Sequence, residues 1–236
     1  LQPLPDGALA TLAALDAAAD RAVRIGLLLP WANIAVETEL ARLGLRNTVF
    51  HHARLVPASR TTAVDASFWH GLREASTQAL DSLSHIPLDG VILACTSAGF
   101  TDGPPLPSGV STAFDALLRA LAEADVSRVV LVTPYPAQVT EAEGTALAEA
   151  GVEVLAHGSL GLDDGYPDVT PDRILRLVEQ LPKEAVLSAE AVVLSCTGWH
   201  TLPVITELEH RFGKPVFSSN LAIALLAARA CAGVGP

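Results

Sequence analysis

Gly90-Val91-Ile92-Leu93-Ala94-Cys95-Thr96-Ser97-Ala98-Gly99 and Ala191-Val192-Val193-Leu194-Ser195-Cys196-Thr197-Gly198-Trp199-His200 are two versions of one pattern. In each, a short apolar run ends in Cys-Thr and passes into small or turn-forming residues. A β-branched run of that length predicts a buried strand of a parallel sheet. The cysteine then stands where the strand stops, which is where open α/β sheets place their ligands. Two equivalent thiols from two half-chains predict a facing pair across a cleft, with the sulfurs within about 10 Å of each other, one small substrate apart. Such a pair can pass a proton, or one thiolate can attack while the other thiol handles the proton.

The repeat extends beyond the cysteines. Leu29-Pro30-Trp31 closes the first strand of one half and Thr133-Pro134-Tyr135 that of the other, and Pro30 precedes Cys95 at nearly the distance at which Pro134 precedes Cys196. Downstream, Pro105-Leu106-Pro107-Ser108 matches Pro215-Val216-Phe217-Ser218-Ser219 as the opening of a helix. Strands are predicted at 24–29, 48–56, 90–95, 128–133, 152–157, 191–196 and 215–217. Helices are predicted at 35–43, 66–83, 110–124, 137–150, 171–181, 202–212 and 221–232. This alternation implies an α/β fold of two halves related by a pseudo-twofold, each a four-stranded parallel sheet flanked by helices, with a very short fourth strand in the first. Residues 1–109 form the first half, joined by a C-terminal helix over 220–236, and residues 110–219 form the second, with the active site between them. The alanine-rich segment before Arg24 reads as a helical appendage or an oligomer contact, and a homo-oligomer is expected.

Composition bounds the function. At 236 residues the chain can bury a substantial core. Its formal charge of -11 argues against nucleic acid or an anionic membrane as partner, so local donors must hold any anionic substrate. Leu221 to Cys231 is too short to span a bilayer and contains Arg229. The N-terminal stretch carries Asp6, Asp16 and Asp20 and has no signal-peptide pattern. Three cysteines do not make a disulfide framework, so a reducing cytoplasm is expected. His51 and His52 have no ligand cluster beside them, and no metal site is expected.

With Gly26-Leu27-Leu28-Leu29-Pro30-Trp31-Ala32-Asn33, then Val36-Glu37-Thr38-Glu39, Cys95, Val132-Thr133-Pro134-Tyr135 and Ser195-Cys196, the chain resembles the aspartate/glutamate racemase superfamily. The branch it resembles is that of maleate cis-trans isomerase and arylmalonate decarboxylase, from about Arg24 to Cys231. The resemblance implies an isomerase or racemase of a small carboxylate that uses no cofactor, with Cys95 and Cys196 catalytic and Asn33 and Tyr135 holding the substrate. A decarboxylase or hydrolase using only Cys196 is the first alternative, and a non-catalytic carboxylate-binding protein is the second. The decarboxylases keep only the second cysteine, so Cys95 argues against plain decarboxylation.

The chemistry suits those residue types. A carbanion or enediolate beside a carboxylate can be stabilised by neutral donors: the backbone N–H groups of Ser97 and Gly198, the side chains of Thr96, Thr197 and Asn33, and the Tyr135 hydroxyl. A helix N-terminus near each cysteine is expected to lower its pKa from about 8.5. Asn33 also suits the cap of the helix that follows it. Trp31 and Trp69 read as packing residues, with Trp31 near enough to the cleft to shape it, His200 as a partly exposed residue at a helix start, and Cys231 as a small buried hydrophobe. Where the maleate isomerases place a substrate-holding asparagine, Leu162-Asp163-Asp164-Gly165 puts Asp164. An ionised Asp164 would repel a second substrate carboxylate, or pair with an amino or amide group.

Overall fold

The computed structural model describes residues 7–19, 21–61 and 63–231. Its first elements are α1 (Gly7–Ala18), β1 (Val23–Pro30), α2 (Ala35–Leu43), β2 (Thr48–Leu55), α3 (Ala66–Asp81), β3 (Gly90–Leu93), α4 (Ser97–Phe100), β4 (Val110–Thr112) and α5 (Ala113–Glu123). The second series is β5 (Arg128–Thr133), α6 (Ala137–Glu149), β6 (Glu153–Ser159), a 3-10 turn at Tyr166–Asp168, α7 (Pro171–Glu179), α8 (Lys183–Ser188), β7 (Ala191–Leu194), α9 (Leu202–Phe212), β8 (Val216–Ser218) and α10 (Ser219–Cys231).

The two sheets share one strand order, β2-β1-β3-β4 and β6-β5-β7-β8, with every pairing parallel. Leu28 of β1 faces Leu93 of β3, and Val132 of β5 faces Leu194 of β7, so the cysteines leave equivalent points of the two sheets. Alternation along β1 sends Leu27 and Leu29 into a large core shared by both halves, and Leu28 into a smaller core beneath α3. Each of these fully buried leucines contributes about 1.5–3 kcal/mol.

Three expectations are corrected. Residues 110–112 are strand, not the start of a helix, because Thr112 both ends β4 and caps α5. Its Oγ1 accepts from the Asp115 N–H at 3.1 Å, and Asp115 Oδ2 accepts from the Thr112 N–H at 2.7 Å. Since β4 is hydrogen-bonded to β3, strand membership divides the chain after Thr112 and not at residue 109. The stretch before Arg24 is no appendage either. Ala8 and Leu12 of α1 are buried in the shared core against α10, and Asp16 accepts from the Arg46 N–H at 3.0 Å. Residues 1–6 and 20 lie outside the described residues, as does the expected last part of the C-terminal helix, 232–236. Finally, β3 and β7 stop short of the cysteines, leaving each thiol just outside the ladder.

α10 packs on α5 and α1 and also reaches α2. Its first residues, Ser219 and Asn220, are fully buried between the two sheets. Among the described residues no helix is long and apolar enough to cross a membrane.

Candidate active site

One further backbone bond carries each sheet toward its cysteine: the Ala94 N–H donates to Leu28 O at 2.8 Å, and the Ser195 N–H to Val132 O at 2.9 Å. The next residue is then free of the ladder. Cys196 adopts a positive φ of 107°, a conformation that costs a non-glycine residue about 1–3 kcal/mol and persists only where its surroundings impose it. Those surroundings are visible. The Cys196 N–H donates to Ser219 Oγ at 3.1 Å, Thr197 Oγ1 donates to Ala94 O at 2.8 Å across the halves, and the Ser195 hydroxyl bonds to Glu143.

Both thiols line one cavity of about 80 Å³, with Pro30, Trp31, Phe68, Tyr166 and Pro167 as apolar walls. That space equals about five to eight water positions, the size of a small organic acid. Thr96, Ser97, Tyr135, Thr197, Gly198, Asn33 and Asp164 also line it, so every residue expected to react with or hold the substrate reaches this cavity. The hydroxyls serve differently from the expectation. Thr197 Oγ1 accepts from Asn33 Nδ2 at 2.9 Å while donating to Ala94 O, and Thr96 Oγ1 donates to Ser219 Oγ at 2.8 Å. Both therefore tie the halves together instead of standing free for a ligand.

Asn33 does two jobs at once. Its Oδ1 accepts from the Ala35 and Val36 N–H groups at 3.1 and 3.2 Å, capping α2, and its Nδ2 keeps a second N–H beyond the one given to Thr197. Gly198 donates its N–H to Cys196 Sγ at 3.2 Å, and a side chain there would meet the Tyr166 ring at 3.1 Å. Asp164 is exposed at the rim, with Oδ1 accepting from the Gly165 N–H at 2.6 Å, and it is the only carboxylate among the lining residues. No lysine, arginine or histidine lines the cavity; His200 is half-buried outside it.

The expected lowering of the thiol pKa is not found. Burial pushes Cys196 up to about 12, against the opposing pull of the Gly198 N–H and the Tyr135 hydroxyl. Burial also raises Cys95, opposed by the Ser97 hydroxyl, the Ala98 and Ser97 N–H groups and the charge of Arg73. Helix termini cannot prevail here: α4 is a single turn, and α9 begins several residues after Cys196. Tyr135 is likewise raised well above the usual phenol range by burial and the nearby thiols, and burial raises Tyr166 too.

Several site residues escaped the sequence reading. Tyr166 stacks edge-on against Tyr135 with ring centres 5.9 Å apart. Trp69 does more than pack, since its Nε1–H donates to Ser97 Oγ at 3.0 Å beside Cys95. Arg73 holds the Ala98 and Thr101 carbonyls at 2.5 and 3.0 Å, fixing the turn after Cys95. Ser219 and Glu143 support Cys196 from behind. Tyr166 follows Gly165 and Trp69 begins no motif, so neither carried a signal; Ser219 stood directly after the repeated Pro-x-x-Ser landmark and could have been found there. Cys231 is buried, with its thiol near the Asn47 carbonyl and Thr48, away from the cavity.

A family model described as arylmalonate decarboxylase matches residues 98–234 of this chain. The maleate isomerase of Nocardia farcinica is 27% identical over 229 residues, which cover 84% of this chain and 86% of that protein. The arylmalonate decarboxylase of Bordetella bronchiseptica is 34% identical over 114 residues, 48% of this chain and 47% of that protein. In structure, a cysteine-to-serine mutant of the Nocardia farcinica maleate cis-trans isomerase with a covalently bound succinylcysteine intermediate superposes with a TM-score of 0.75 at 23% identity, covering 88% of this chain and 92% of that one.

Proposed function

This chain belongs to the arylmalonate decarboxylase family, and from that premise we propose that it is an isomerase or racemase of a small carboxylate working through Cys95 and Cys196, with no cofactor in the reaction. The observation that carries this reading is the convergence of two buried free thiols, one from the end of each sheet, on one small cavity. The succinylcysteine found in the Nocardia farcinica relative supports a sulfur that adds to an unsaturated acid.

In the isomerase form the site starts with one thiolate and one thiol. The thiolate sulfur bonds to an alkene carbon, and the π pair moves onto the neighbouring carbon and its carboxylate. The second thiol gives its proton to that carbon, and the new single bond rotates. Return of a proton to the second sulfur and departure of the first as thiolate give the trans product, with no atom or electron gained. In the racemase form one thiolate takes the proton next to the carboxylate from one face, and the other thiol delivers its own from the opposite face. Burial favours the protonated form of each thiol, so the one that does not attack stands ready as the acid. The Gly198 N–H, bonded to the Cys196 sulfur, and the nearby Tyr135 hydroxyl favour its thiolate. The spare Asn33 N–H and the Ser97 N–H, on residues that line the cavity, are the neutral donors available to the developing enediolate.

We assign the far end of the substrate a neutral donor or a cation in place of a second carboxylate, since Asp164 is the one carboxylate among the described lining residues and no lysine, arginine or histidine is among them. A reducing cytoplasm and a homo-oligomer belong to the same proposal. A decarboxylase using Cys196 alone is the second reading, favoured by the family description.

The test is a panel of unsaturated dicarboxylates, hydroxy acids and N-acyl amino acids, followed by proton NMR in deuterated water. With the substrate found, Cys95→Ser and Cys196→Ser should each lower turnover by at least about 10³-fold. Near-normal turnover of Cys95→Ser, with release of carbon dioxide, would replace the two-thiol reading with the decarboxylase.

A further inference from the structure

Directly behind Cys196 lies a carboxyl group that the reaction above does not use. Glu143, on α6, is fully buried, as is its neighbour Ser195, whose hydroxyl bonds to Glu143 Oε1. Glu143 Oε2 has no partner. A buried carboxylate with one neutral hydrogen bond and one bare oxygen is costly, so the group is held as the neutral acid. The groups facing it are Tyr135 at the end of β5 and Cys196 at the end of β7, and a charge on Glu143 would disfavour ionisation of both. The other charged groups on the packed elements point away. Glu153 and His157 of β6 and Glu141 of α6 are exposed along a separate groove, Glu149 is exposed, Arg128 is exposed and paired with Glu190, and α4 carries no titratable side chain.

We propose that Glu143 is a positioning residue for Cys196, a buried neutral carboxylic acid that holds Ser195, and with it the constrained backbone of Cys196, and whose ionisation suppresses the Cys196 thiolate. The connectivity supports this: Ser195 is bonded to Val132 O through its N–H and to Glu143 through its hydroxyl, leaving the following residue to absorb the turn at a φ of 107°. Burial pushes Glu143 up to about 8, so the acid is neutral in mildly acidic solution and charged well before Cys196 ionises.

The proposal rests on Cys196 being a reacting thiol, but its test needs no substrate. Alkylation of Cys196 by iodoacetamide is followed by peptide mass spectrometry from about pH 6 to about pH 10. At about pH 9, Glu143→Gln should be alkylated about threefold to tenfold faster than the unsubstituted protein, because the charge that opposes the thiolate is gone. Below about pH 7 the two should react alike, since both then carry a neutral group. Glu143→Met, uncharged and similar in length, should reproduce the alkaline gain should the glutamine variant fail to fold. Unchanged or slower alkylation overturns the proposal, as does equal acceleration at every pH, which would mark loosened packing and not charge. A failed substrate panel would leave this measurement intact, so the two readings fall separately.

Discussion

Glu39 offers the sharpest test of how the two halves are joined. It is fully buried on α2 in the first half, and its carboxylate accepts four hydrogen bonds. Three come from the start of α9: the Thr201 N–H at 2.6 Å, the Leu202 N–H at 2.7 Å and the Thr201 hydroxyl at 2.9 Å. The fourth comes from Asn220 Nδ2 at 2.8 Å. A helix N-terminus is a favourable place for negative charge, and here it receives one from the other half of the molecule. Glu39→Ala strips acceptors from the Thr201 and Leu202 backbone N–H groups, while Asn220 Nδ2 keeps the Thr197 and Trp199 carbonyls at 3.4 Å. At about 1–3 kcal/mol for each of these two orphaned donors, less what is regained by no longer burying a charge, the loss comes to about 2–5 kcal/mol. Glu39→Gln keeps an oxygen for the two backbone N–H groups, and the Thr201 hydroxyl can turn to accept. The Asn220 amide can likewise turn its Oδ1, which has no partner, toward the new N–H. Only charge assistance is then lost, about 1–2 kcal/mol. Urea unfolding of the three proteins should therefore rank Glu39→Ala well below Glu39→Gln, with Glu39→Gln slightly below the unsubstituted chain. An alanine cost under about 1 kcal/mol, or a glutamine cost equal to it, would refute the reasoning.

Two other outcomes are expected. Asp164→Asn should improve turnover of substrates carrying a second carboxylate, by about fivefold in kcat/KM for a rim repulsion of about 1 kcal/mol; efficient maleate isomerisation by the unsubstituted protein would show that Asp164 does not face the substrate. Because folding raises the Glu143 pKa from 4.5 to about 8, the native state keeps a proton that the unfolded chain releases. Its contribution to stability is therefore complete below about pH 4.5 and falls by a few kcal/mol as pH rises toward about 8. The urea midpoint of Glu143→Gln should lack that component of the decline, and identical pH slopes in the two proteins would contradict it.

The parts of the fold legible in the sequence are those written locally. α2 and α9 have the predicted bounds because Gly44 and Gly213, in left-handed conformations, end them. The repeated apolar runs before Cys95 and Cys196 announced both sheets and the cavity between their ends. The very short fourth strand of the first half was expected, but its place at 110–112 was not legible, since three residues are too few for a period and Thr112 serves strand and helix together. At the site, residue types could be read but not their partners. Thr96 meets Ser219 and Asn33 meets Thr197 across the whole molecule, so hydroxyls that look available in the sequence are already committed. The thiol pKa failed for a similar reason: a helix start is a local feature, whereas burial belongs to the assembled core and outweighs it.

Ser219 and Asn220 give the order of synthesis a chemical meaning. Ser219 links Thr96 to the Cys196 N–H, and Asn220 closes the ring of donors around Glu39, yet both belong to the last described helix. A nascent chain still lacking residues 219–231 has both cysteines made and both sheets ready to form, but only the Thr197–Ala94 bond to join one thiol-bearing turn to the other, without the serine that links Thr96 to the Cys196 N–H. The setting of the two thiols is thus completed by a helix made after both cysteines, so a chain interrupted before it would carry both thiols without the Ser219 link between their turns.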